Sequence, residues 1–200
     1  MTISRGREWG HDGTVPDDSV VVDRDSALAS TRAACVLLAG GDLHEALGRP
    51  PVRSTGERCT LLPVDALVCT IVRPDGTSDR RLAASTVETG GWMRPRARHI
   101  CVTNAGMVRG RNLAPRAHPN DGRFDVVELS STMALRQRII ARRRARTGTH
   151  VPHPDISVHQ TTTFALTRSG RERLLLDGQP TGEWVEVRIE IAVDHWRVAV

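Results

Sequence analysis

The sequence predicts a mainly β fold of the α+β class, built as a sandwich or barrel. Three observations predict it. Val185, Val187, Ile189, Ile191 and Val193 alternate with Glu186, Arg188 and Glu190, a period of two that turns one face to a core and the other to water. Many short apolar runs are separated by turn-forming residues. Only one stretch, after Ser130, has convincing helical character.

Taken in order, Met1 to Asp18 is polar, rich in Gly and without a period, and reads as an arm or early loop. Ser19 to Val22 is a short strand. Ser26 to Leu38 suits a helix capped near Asp25 and stopped by Gly40-Gly41. Asp42 to Leu47 is a helical turn broken by Gly48-Arg49-Pro50-Pro51. Thr60 to Leu62 and Ala66 to Val72 are apolar runs with strand character. Arg73-Pro74-Asp75-Gly76-Thr77 is a turn, with Leu82 to Val87 as the returning strand. His99 to Thr103 and Phe124 to Leu129 continue the strand pattern. The helix has Ser130 or Ser131 as cap, Leu135 and Ile139 on one face, and Gly148 as its stop. Arg142, Arg143, Arg144 and Arg146 suit the negative end of its dipole. Trp196 to Val200 reads as a final strand.

Composition narrows the function classes. Apolar residues make up 39% and charged residues 26% of the 200, compatible with a globular core. No run reaches the roughly 18 apolar residues of a membrane span, and the N-terminus has no apolar signal region, so a cytoplasmic protein is expected. Net charge is +5, and all 28 basic residues are Arg. Without Lys, Schiff-base and P-loop lysine mechanisms are excluded. Aromatic residues are 3%, too few for base-stacking platforms, so nucleic acid is not the expected partner. Cys35, Cys59, Cys69 and Cys101 are far apart and form no C-x-x-C pair, which suits buried reduced thiols.

Several short motifs carry chemistry, each beside a plainer reading. Asn120-Asp121-Gly122 with Asp125 can share a divalent cation, because hard cations prefer oxygen ligands; the same residues also make an ordinary solvated turn. Asp177-Gly178-Gln179 ends the run Leu174 to Leu176. An Asp there can act as general base toward a hydroxyl, or simply close a hairpin. Gly40-Gly41-Asp42 precedes a short helix and can present N–H groups to an anion, or be a simple turn. His150-Val151-Pro152-His153 has two-ligand spacing but no third ligand, which favours a loop with exposed imidazoles. The Arg142 to Arg146 cluster is either a solvated helix end or a contact for anionic headgroups.

Together these pieces resemble the diacylglycerol kinase catalytic-domain family, which includes sphingosine kinases and bacterial lipid kinases. Ala114 to Val126 is similar to that family's A-P-x-A-x-x-D-D-G-x-L-D-V segment. The basic helix, His153-Pro154-Asp155-Ile156 and Asp177-Gly178-Gln179, similar to D-G-E, then follow in the family's order. The likeness spans roughly residues 99–200 and implies the β-sandwich second domain of lipid kinases. Gly40 to Pro50 looks like the segment G-T-x-N-D-x-A-x-x-L-G-x-P at the interdomain cleft. Shortened actinobacterial relatives share such a layout, with a G-R-G-E-x-W-G start similar to Ser4 to Gly10.

The resemblance implies roles residue by residue. Asp177 is the general base. Gly40, Gly41 and Asp42 lie toward the cofactor. Asp121, with Asp125, supports a Mg²⁺ site, although Asn120 stands where the family has its first Asp. Gln179 stands where the family has Glu, and the G-G-D-G-T segment that approaches ATP is absent. Phosphoryl transfer depends on positioning and charge neutralisation by metal. The expectation is therefore a ligand- or lipid-binding pseudokinase, with residues 1–58 as arm and cleft remnant and 59–200 as the sandwich. Two alternatives stay open. One is an active subunit whose nucleotide domain is supplied by another chain. The other is an interaction module, docking through Arg142, Arg143, Arg144 and Arg146 on the anionic inner face of the membrane. A homodimer is a further possible assembly.

Overall fold

The computed structural model describes residues 9–200. In chain order its strands are β1 (His11–Thr14), β2 (Val20–Val22), β3 (Val36–Leu38), β4 (Arg58–Val72), β5 (Ser78–Ala83), β6 (Thr86–Thr89), β7 (His99–Thr103), β8 (Phe124–Leu129), β9 (Ile156–Thr161), β10 (Thr163–Thr167), β11 (Leu174–Leu176), β12 (Gln179–Pro180) and β13 (Glu186–Ala199). The helices are α1 (Asp25–Leu28), α2 (Asp42–Ala46) and α3 (Leu135–Arg144).

Two long strands organise the first sheet. β4 and β13 pair antiparallel from Val72 opposite Glu186 to Leu61 opposite Ala199, with a bulge between Ala192 and Trp196. One half of this ribbon is flanked by β5 and β10, the other by β1 on one side and β3 then β2 on the other. The second sheet is antiparallel, in the order β12-β11-β6-β7-β8-β9.

The main core lies between the sheets. Leu67, Ile71, Val187 and Ile189 of the first meet Val87, Val102, Phe124 and Leu174 of the second, all essentially inaccessible. Each such side chain contributes roughly 1.5–3 kcal/mol of burial. β7 and β8 are apolar on both faces because both are covered. Ile100, Val102, Phe124 and Val126 face the first sheet, while Cys101, Val127 and Leu129 pack with Met133, Ala141 and Ala145 around α3. A third cluster joins Leu28, Val36, Leu38 and Leu43 to Val64, Trp196 and Val198 at the far half of the ribbon. Residues 9–58 are thus woven into the first sheet.

The structure corrects several expected elements. The expected helix 26–38 is only the single turn α1, followed by β3. The Val36–Leu38 run is buried on both faces, Val36 and Leu38 in one cluster and Cys35 and Leu37 in another, and periodicity cannot separate such a run from a helix. The strand returning from the Arg73–Thr77 turn is β5, four residues earlier than expected, because Arg73 N–H reaches Thr77 O at 2.8 Å and closes the turn tightly. Residues 84–85 then cross to the second sheet. The apolar runs 60–62 and 66–72 are one strand, as are the last two expected strands. Within the expected arm, 11–14 is a strand because its backbone finds β4. The Ser4 to Glu8 part of the expected start motif lies outside the described residues.

Helix α3 also departs from expectation. Ser130 makes a local turn instead, accepting the Thr132 N–H at 3.1 Å, and the helix begins at Leu135. Leu135 and Ile139 do share a face, but it is the outer one, 42% and 37% exposed. The buried face carries Arg138, 0% exposed, whose guanidinium donates to the carbonyls of Met133, Trp92, Ala97 and Ser130. Five donors in a planar fork let one arginine satisfy several loop carbonyls at once. Gly148, φ 68°, ends the helical segment as expected.

Candidate functional site

Asp177 sits in a two-residue hairpin. Leu176 pairs with Gln179, leaving Asp177 (φ 47°) and Gly178 (φ 76°) as the loop. Two left-handed residues define the type I′ turn, which matches the strand twist and tolerates Asp and Gly. The turn folds the carboxylate back onto the crossing between the sheets. Its Oδ2 accepts Ala84 N–H at 2.8 Å, and its Oδ1 accepts Ser85 and Thr86 N–H, each at 2.9 Å. Asp177 N–H in turn donates to Thr86 O at 2.8 Å. Burial raises the Asp177 carboxyl above the ordinary range, while the N–H groups of Thr86, Ala84 and Ser85 pull it back toward ionisation.

Next to it lies a carboxylate that the motifs did not single out. Asp25, 6% exposed, accepts the N–H groups of Asp42 (2.7 Å) and Leu43 (3.2 Å), the first turn of α2. Gly41 makes this possible. Its φ is 99°, and a Cβ there would lie 2.5 Å from Asp25 Oδ1. Gly40 is equally constrained, because a Cβ would lie 2.5 Å from Asp23 O. The N–H groups expected to face an anion therefore face a carboxylate of the chain itself. Burial, then the charge of Asp177, raise the Asp25 carboxyl to about 7. Asp42 is raised to about 6, first by burial; its Oδ1 accepts the Arg109 N–H. Arg109 pairs through its guanidinium with Glu88 of β6. Asp25, Asp42 and Asp177 thus share one neighbourhood where the N-terminal segment meets the sandwich.

Asp121 and Asp125 belong to a second network. Gln160 Nε2 joins them, 3.2 Å from Asp121 Oδ2 and 3.4 Å from Asp125 Oδ2. Burial, the largest influence, raises Asp125 to about 6. The centre of this network is Asp65 of β4, fully buried, which accepts the Asn120 amide (3.0 Å) and the N–H groups of Gly122 and Asp194 (both 2.9 Å). Asn120 Nδ2 also donates to Asp194 Oδ1 at 2.8 Å. Asn104 links the networks, donating through its amide to Asp65 O and through its backbone to Ser85 O.

This donor set does not fit a Mg²⁺ ion. Between Asp121 and Asp125, and between Asp65 and Asp194, an amide N–H donor fills the position a cation would take. Among the described residues no group of three or more His, Cys, Asp or Glu is placed to hold a metal. Nor does the α2 turn fit a nucleotide phosphate, since Asp25 already takes its N–H groups.

Arg142, Arg143, Arg144 and Arg146 lie exposed along the end of α3 and the turn after it. His150 is buried against Trp92, contrary to the exposed imidazole expected, while His153 Nδ1 accepts the Asp155 N–H at 3.1 Å. All four cysteines are free and buried, as expected. The motifs missed Asp25, Asp65, Glu88 and Arg109. An Asp or Glu inside an apolar run, as in Val64-Asp65-Ala66, is the one signal that marks such residues, because a buried carboxylate needs donors.

No curated protein matches the chain in sequence. Among solved structures, a diacylglycerol kinase from Bacillus anthracis str. Sterne matches with a TM-score of 0.51 at 13% identity, over 90% of this chain and 75% of that one. Yeast NADH kinase complexed with NADH matches with a TM-score of 0.55 at 11% identity, over 91% of this chain and 60% of that one. These likenesses establish the fold. Residues 80–199 match the YegS C-terminal NAD kinase beta sandwich-like domain. That match spans the second sheet, α3 and the turn at Asp177, and the chain belongs to this family.

Proposed function

We propose that this chain is a lipid-kinase-type sandwich that binds a lipid-like ligand and does not transfer phosphate by itself. The observation carrying this reading is the commitment of Asp177. A general base must take up a proton, and protonation weakens its bonds to the three N–H groups of residues 84–86, each worth roughly 1.5–3 kcal/mol to an ionised acceptor. The occupied α2 turn and the amide-filled carboxylate pairs support the same reading.

The test is transfer of label from γ-labelled ATP to dioleoylglycerol in mixed micelles with Mg²⁺. The expected result is no product above a protein-free control. Turnover that disappears in a folded Asp177→Asn variant would refute the proposal. A second reading, contact with an anionic membrane surface, is favoured by the inversion of α3, which buries Arg138 and exposes Leu135, Ile139 and Ile140 beside Arg142 and Arg143.

A further inference from the structure

A cavity of about 230 Å³ lies beside the carboxylate networks, lined by Glu88 of β6, His99 of β7, Leu175 of β11, the 90–93 loop, the 108–113 segment and Arg142 of α3. Three of its lining residues are arginines, Arg109, Arg111 and Arg142. Only Arg109 has a carboxylate partner, Glu88. Among the described residues Arg111 and Arg142 have no ion pair, and Arg111 donates through one terminal nitrogen to Arg109 O at 2.8 Å. Its Nε is buried without an acceptor. Burial, then repulsion from Arg142, Arg146 and Arg109, lowers the proton affinity of Arg111. His99 adds no positive charge near neutral pH, because burial holds it at about 4.

Arginines at a cavity wall that outnumber its carboxylates, two of them without an ion-pair partner among the described residues, favour an anionic ligand. Among the lining residues three arginines less Glu88 leave two positive charges, and Asp42, which bonds Arg109 from outside the lining, offsets part of that excess. A phosphomonoester carries about −1.5 to −2 at pH 7 and offers oxygens that fit the guanidinium fork. Arg109 is also held in a strained conformation. It has φ 48°, and Gly110 has φ 70°, in the turn closed by Val108 and Arg111. Asn, Asp or Gly would sit there more easily; the turn holds the Arg109 guanidinium against Glu88 at the cavity wall. Trp92, Met93, Val108, Leu113 and Leu175 give the cavity apolar walls.

We infer that this cavity binds a phosphomonoester, with Arg111 and Arg142 on the phosphate oxygens and the Trp92 and Met93 wall against the group that carries it. The phosphate preference stands on the arginines alone. That the carrying group is a lipid rests on the proposed function.

The probes are 1-oleoyl-lysophosphatidate below its micelle concentration, monooleoylglycerol and glycerol 3-phosphate, each titrated into the full chain by calorimetry. Lysophosphatidate is expected to bind at least tenfold more tightly than monooleoylglycerol. Arg111→Gln and Arg142→Gln should each weaken it by about tenfold to a hundredfold. Arg80→Gln, on the other sheet, should change nothing, and circular dichroism checks that each variant folds. Glycerol 3-phosphate binding as tightly as lysophosphatidate, with the same arginine dependence, would uphold the site and make its ligand a soluble phosphomonoester. Equal binding of monooleoylglycerol, indifference to both arginine variants, or no binding of either phosphate probe would overturn it. Those results would leave the proposed function standing, whereas ATP-dependent turnover of dioleoylglycerol would overturn that function and leave the cavity's affinities unchanged.

Discussion

Replacing Asp177 by Asn separates a structural carboxylate from a spare one. The wild-type carboxylate accepts three backbone N–H groups, two on Oδ1 and one on Oδ2. Asn can keep a carbonyl toward Ser85 and Thr86, and it tolerates φ 47° as well as Asp does. Its amide nitrogen then faces Ala84 N–H, donor against donor. Weakening two charge-assisted bonds to neutral strength costs about 1 kcal/mol each, and the orphaned Ala84 donor costs about 1–3 kcal/mol. Relief from burying a charge offsets part of this, leaving a net loss of about 2–4 kcal/mol. Asp177→Ala loses all three acceptors and should cost more, about 5 kcal/mol. Urea denaturation followed by circular dichroism reads both, with the slope on denaturant unchanged. An Asn variant within about 0.5 kcal/mol of wild type would refute the reasoning.

Three more outcomes follow from the same geometry. Asp25 is raised to about 7 in the folded chain, so the fold binds its proton more tightly than the unfolded chain does. Its contribution is fully present below about pH 4 and is lost as pH rises through about 7. Asp25→Asn should therefore cut the fall in stability between pH 4.5 and 7.5 by on the order of 2–4 kcal/mol, and an unchanged pH profile would contradict this. Asn120→Asp should destabilise by roughly 2–4 kcal/mol through like charge against Asp65 and Asp194, with millimolar Mg²⁺ or Ca²⁺ restoring the melting temperature; a variant stable in chelator would contradict it. Vesicles with anionic lipid should sediment the chain and neutral ones should not. Changing Arg142, Arg143, Arg144 and Arg146 to Gln should weaken partitioning by about a thousandfold at about 1 kcal/mol each, and equal binding to both vesicle types would exclude the surface.

The sequence made legible whatever depends on local pattern. The alternation holds at Val187, Ile189 and Ile191 but not at its exposed ends, Val185 and Val193. The turns at Arg73 to Thr77 and Asp177-Gly178 stand where they were read, and the basic helix forms but starts later and turns its expected core face outward. The two-residue hairpin at Asp177 was visible because Asp-Gly carries its own turn chemistry. What failed was set by distant partners. β3 looked helical because both its faces are buried, and β5 was misplaced because the crossing at residues 84–85 answers to Asp177, more than ninety positions later. Nothing local reveals that four loop carbonyls surround Arg138. The site was half legible for the same reason. Asp42, Asp121 and Asp177 carried motif signals, whereas Asp25 and Asp65, which hold these networks together, acquire their roles only through contacts 17 to 129 residues away.

Amide hydrogen exchange at Ala84, Ser85 and Thr86, in wild type and in Asp177→Asn, tests most directly whether the carboxylate at the base position is committed to the fold. If it is, these three amides are protected in wild type, and in the variant the Ala84 amide loses protection first and most while the core strands β7 and β8 stay slow. Equal protection of all three amides in both proteins would show that they do not depend on the carboxylate, leaving it free for a substrate hydroxyl.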